Sequence, residues 1–199
     1  MSRFPRIRLG SSWRAGVAAL EFALCLPVLL LLLLAGVDLA LLMQARFRLD
    51  QTAFGAGSVI TQYKDLYESD LAQGNCAAPL FVAAQRIAAS VPVSGAQGAT
   101  IISGITNPSG VPVIAWQRRC GSLAAASAFG AEGAVPVLPD QFVVPRGTSI
   151  VAVEVATAMT AWALSSRFMG GPGASVLSSY SLQQPRTALL STITAGTRP

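Results

Sequence analysis

Between Phe22 and Val37 the chain carries no charged residue, and apolar side chains dominate from Val17 to Met43. As helix, the uncharged run covers about 24 Å at 1.5 Å per residue, short of the roughly 30 Å of bilayer hydrocarbon. A spanning helix must therefore recruit Val17–Leu20 or Leu39–Met43, which takes Glu21 or Asp38 to the edge of the hydrocarbon or into it. An acidic residue at the centre of such a helix costs on the order of 2.5–3.5 kcal/mol on insertion scales and less near the interface, so it usually has a partner. Asp38 is expected at the outer interface, because Gln44, Arg46 and Arg48 follow it at headgroup depth. Pro27 removes one backbone donor and predicts a slight kink over Ala23–Pro27, and Cys25 reads as a small apolar side chain.

Beyond the apolar run the pattern stays helical without proline, and Phe47, Phe54 and Ile60 recur at helical spacing. This predicts a helix reaching about Tyr67, with Gly55 and Gly57 as weak points and the two phenylalanines packed against a following domain. Asn75 offers a cap for a short second helix with Leu80, Ala84, Ile87 and Val91 on one face. The period then falls toward two. "ATIISGITN" and "VPVIAWQRRC", joined by "NPSG", predict a hairpin; "TSIVAVEVATAM" predicts a third strand and residues 174–182 a fourth. Gly121–Gly133 and Gly170–Gly173 read as loops, and neither has the setting of a phosphate cradle. The fold class is α+β: a long transmembrane helix continuing into a small exported domain with a short helix and an antiparallel sheet. The expected division is a leader at 1–16, a membrane helix at 17–43, a helical extension at 44–67 and an exported domain at 68–199.

Charge sharpens the orientation. The formal net charge is +5, but Arg3, Arg6, Arg8 and Arg14 precede the apolar run with no acidic residue among them. From Val17 onward ten basic residues face nine acidic ones, which leaves no electrostatic case for nucleic-acid binding. The arginine cluster fits a cytoplasmic flank under the positive-inside rule, with the C-terminal bulk outside. The chain has no histidine, so His-based triads and His metal sites are excluded. Asp140, Ser149 and Glu154 form no nucleophile–base pattern; no enzyme activity, cofactor, metal or small-molecule substrate is expected. Cys76 and Cys120 both fall outside the cytoplasm on this topology, where an even pair points to a disulfide worth about 4 kcal/mol in the chain-entropy model; two free thiols are the alternative.

Three readings of the N-terminus compete. A cleaved secretory signal fits poorly, because the run exceeds a normal h-region and Ala35-Gly36-Val37 is a weak cleavage site. A plain signal anchor makes Glu21 an interfacial accident. The third rests on the order of residues: an arginine-rich leader, Gly16, "VAALEF", then an unbroken apolar helix. This order resembles the type IV prepilin signal, and the stretch from Arg14 to about Gly57 is most similar to TadE/TadF-like pilus-assembly proteins of the tight-adherence (Flp-type) system. The resemblance extends through "IAWQRRCG" and "IVAVEVATAM", in the order these proteins show. It implies cleavage by a prepilin peptidase between Gly16 and Val17, with Glu21 fifth and Phe22 sixth in the mature chain, and Phe22 leans toward the minor, pseudopilin members. Cleavage would free an amine on Val17 one turn from Glu21, and the two charges can neutralise each other within or between chains. The partners implied are the peptidase, other pilin-like subunits, inner-membrane platform proteins and membrane lipid, with a bacterial inner-membrane location and a periplasmic domain. The alternative function is a membrane-tethered periplasmic binding module with an uncleaved anchor.

Overall fold

The structure, a computed structural model, describes residues 12–139, 142–159, 175–186 and 189–198. Most of the leader, Asp140 and the Gly170–Gly173 loop lie outside the described residues. Helix α1 runs from Ser12 to Ile60 and is continuous through Pro27. The chain divides into two compact units, the boundary on α1 falling between Leu41 and Leu42. In the first unit, most of the large apolar side chains from Val17 to Leu33 stand exposed. Among the described residues α1 is the one helix long and apolar enough to cross a membrane.

The second unit is built on a four-stranded antiparallel sheet. Its strands are β2 (Gly98–Thr106), β3 (Val113–Cys120), β4 (Ser149–Met159) and β5 (Ser175–Gln183), in the order β3-β2-β4-β5. Two further strands, β1 (Leu66–Tyr67) and β6 (Ile193–Thr194), form a small parallel pair that ties the C-terminal segment to the stretch following α1. The expected hairpin is β2–β3. Its "NPSG" turn closes with the Gly110 N–H donating to Asn107 Oδ1 at 2.7 Å, while the Asn107 amide donates to the Val144 carbonyl at 2.7 Å. One buried asparagine thereby anchors both the hairpin tip and the long connection to β4. Gly104 is required by a close approach: a Cβ there would stand 2.3 Å from the Trp116 indole, whose N–H donates to the Leu190 carbonyl at 2.9 Å.

Both faces of the sheet are covered. On one face Leu49, Ala53, Ala56 and Ile60 of α1 join Leu80, Phe81 and Ala84 of α2 (Pro79–Ala88) against Ile102, Trp116, Val151, Val153 and Val155. On the other, Ile105, Ile114, Ile150 and Ala152 are covered by Phe129 and Val144 of the connection between β3 and β4. The loop expected at Gly121–Gly133 is therefore a lid on the sheet, and β4 is buried from Ser149 to Thr157.

Three local expectations change. Helix α1 ends at Ile60 and does not reach Tyr67. Its last turn tightens, with the Gln62 and Tyr63 N–H groups bonding to Val59 and Ile60, and Thr61 Oγ1 bonds back to the Ser58 carbonyl at 3.1 Å. This hydroxyl competition weakens the helix where Leu66 must turn into the core. Phe47 and Phe54 are not packed against the domain: they are 62% and 65% exposed, because the inward face is the Ala45–Leu49–Ala53–Ala56–Ile60 stripe. Asn75 does not cap α2, whose N-cap is Ala78 with Pro79 as first residue; Asn75 Oδ1 instead accepts from the Ala77 N–H at 3.0 Å in an Asx turn.

Candidate functional site

Gly16, Val17, Glu21 and Phe22 all lie on α1, inside regular helix. The i to i+4 spacing sets Val17 and Glu21 one turn apart on the same face. Val17 and Phe22 are 56% and 62% exposed, Glu21 is exposed, and a side chain at Gly16 would meet open space. Among the described residues Glu21 makes no ion pair. An amine created at Val17 would thus find a carboxylate already within reach and uncommitted to any of them.

Asp38 differs from Glu21. It is only 4% exposed, whereas its neighbours Val37 and Leu39 are 41% and 42% exposed, and it is engaged in an interaction rather than free. The outer-interface expectation concerns depth in the membrane; burial adds that protein, not solvent, surrounds this carboxylate. This is how acidic groups in apolar segments are usually accommodated.

In the second unit, Cys76 and Cys120 form a disulfide, with Cα atoms 5.0 Å apart, joining the turn before α2 to the last residue of β3. Cys25 is free and exposed on α1. Of the residues considered for catalysis, the described pair Ser149 and Glu154 is not brought together. Ser149 and Glu154, five apart on one strand, point to opposite faces of the sheet. Ser149 Oγ accepts from the Leu190 N–H at 3.2 Å. Glu154, 8% exposed, accepts from Ser127 Oγ at 2.5 Å and from the Ala128 N–H at 2.6 Å. Burial pushes the Glu154 carboxyl above its ordinary range, and the two hydrogen bonds pull the other way.

Sequence reasoning missed a cluster formed by the C-terminal segment. The Arg198 guanidinium lies 4.5 Å from the Tyr63 ring centroid and 5.5 Å from that of Tyr67, and it pairs with the buried Asp70 at 2.8 Å. The same carboxylate accepts from the Tyr67 N–H at 3.1 Å. The cluster joins residues more than a hundred positions apart, and no local spacing signals it.

Residues 16–57 match the family model described as TadE-like protein; the remainder of the chain lies outside the match. The N-terminal segment is thus TadE-like and associates the protein with the tight-adherence pilus system. No curated protein and no solved structure matches the chain significantly.

Proposed function

We propose that this chain is a minor, pseudopilin-like membrane subunit for assembly of a tight-adherence (Flp-type IV) pilus and its secretion machinery. The observation that carries the reading is that the TadE-like match begins at Gly16, with Glu21 five positions on and the apolar helix unbroken after it. A prepilin peptidase cuts after Gly16. The new Val17 amine and the Glu21 carboxylate then neutralise each other in the bilayer, within one chain or across neighbouring helices, where a single buried charge is costly. The role is non-catalytic: α1 associates laterally with other pilin-like subunits and platform proteins, and the second unit stands in the periplasm, where its disulfide persists. The arginine-rich leader keeps the N-terminus cytoplasmic.

Complementing a deletion strain with the Glu21→Ala variant tests the reading. Surface pili are expected to be lost or sharply reduced while the variant still inserts in the membrane at normal abundance. Normal piliation in both the deletion strain and the variant would contradict it.

A further inference from the structure

The two edges of the sheet are treated differently. The outer edge of β3 is capped: Ile114 N–H donates to the Ala134 carbonyl at 3.0 Å, Gln117 N–H to Glu132 at 3.1 Å, and Arg119 N–H to Gln73 Oε1 at 2.9 Å. The Arg119 carbonyl also accepts from the Gly74 N–H at 2.9 Å. The outer edge of β5 has no such partner among the described residues. β5 also lacks the usual protection of an edge. It reads Ser-Val-Leu-Ser-Ser-Tyr-Ser-Leu-Gln without charge or proline, and its register with β4 runs unbroken from Val151–Gln183 to Met159–Ser175. A regular, uncharged edge is a template for another strand.

Beside this edge lies a cavity of about 270 Å³, between the sheet and the alanine-rich loop at 124–128. Val176 and Tyr180 of β5 form one wall and are each about half exposed; Ile101, Ala126 and Ala156 contribute to the others. The loop is held in place by Arg119, whose guanidinium donates to the carbonyls of Gly121, Leu123 and Ala125, and by the Glu154 bonds to Ser127 and Ala128. The one carboxylate at the cavity already accepts two hydrogen bonds, and the remaining surface is mostly methyl groups.

We propose that the β5 edge and this cavity form a docking site for an extended, uncharged segment of a partner protein. The segment adds as a strand to β5 and inserts one aliphatic side chain between loop 124–128 and the sheet. Backbone pairing gives affinity to such a site, and the pocket gives it specificity. A second copy of this chain fits less well. Its β3 edge is capped, and antiparallel pairing of β5 with β5 needs a two-fold axis perpendicular to the sheet. That axis would reverse the direction of α1, which is bonded to β5 through Asp50–Ser179 and Ala53–Ser181. Two copies paired so would carry the part of α1 packed on the sheet, from Leu49 to Ile60, in opposite directions.

The test uses the full chain in lipid nanodiscs and fluorescent, capped peptides of alternating serine and threonine with leucine, glycine or lysine at the centre. The leucine peptide is expected to bind about tenfold or more tightly than the other two, the scale of burying one aliphatic side chain. Ala126→Phe, on the exposed loop, should fill the cavity and erase the leucine preference. Val176→Lys, on the exposed face of β5, should weaken all three peptides, with near-ultraviolet circular dichroism confirming that both variants fold. No binding, equal binding of all three, tighter binding of the lysine peptide, or indifference to both substitutions would overturn the proposal. So would self-association that competes with the peptides.

Discussion

At the scale of single residues, Glu154 gives the clearest physical signature. Its folded pKa is raised above the ordinary value of 4.5 by burial. A carboxyl raised in this way holds its proton longer folded than unfolded, so its contribution to stability is complete below the unfolded value. It is lost as pH rises through the folded value. Denaturant melts of the wild-type protein should therefore show this contribution declining above about pH 4.5. In Glu154→Gln the amide can still accept from Ala128 and donate to Ser127 Oγ, so the variant should lack that component of the pH dependence. An identical slope in both proteins would contradict the assignment. Gly104→Ala reports on packing: its Cβ would collide with Trp116, for which overpacking of about 1–3 kcal/mol is expected in equilibrium unfolding.

At the scale of elements, α1 outside the apolar run has two faces that the sequence pattern does not distinguish. Spacing alone favours Phe47 and Phe54 as the packing residues, because they are large and apolar. The sheet instead admits a close-packed helix. Gly57 lies so near β5 that a Cβ would stand 2.9 Å from Ser181 Oγ, and small residues such as Ala53 and Ala56 pass where phenylalanine would not. Leu49→Ala should consequently cost about 2–5 kcal/mol, and Phe47→Ser no more than about 0.5 kcal/mol, in matched unfolding measurements. The strands were legible because alternation, β-branched residues and the "NPSG" turn agree locally. Burial of β2 and β4 on both faces was not, because their second cover is an irregular loop rich in alanine and serine. The Cys76–Cys120 bridge belongs at this scale too: without reductant, under denaturing conditions, Cys25 alone should alkylate. Cys120→Ser should lower stability by about 4 kcal/mol.

At the scale of the whole molecule, what can be read from sequence follows the range of the forces involved. The apolar run, its arginine flank and the Gly16 to Glu21 spacing are local patterns, and they carry the expectation of a membrane anchor and the TadE-like resemblance. The Arg198 cluster and the loop cover on β2 and β4 arise where distant segments meet, as does the β5 edge left without a partner among the described residues, and no window of sequence contains them. Asp38 was placed by its followers Gln44, Arg46 and Arg48, which define depth along the helix but not which side of it is covered. The central claim, in contrast, rests on the local part. Intact-mass spectrometry with N-terminal sequencing, on protein extracted from membranes of cells with and without the prepilin peptidase, tests it most directly. The account predicts a chain beginning at Val17 when the peptidase is present and one retaining Gly16 and the arginine leader when it is absent; an identical, uncleaved N-terminus in both would contradict it.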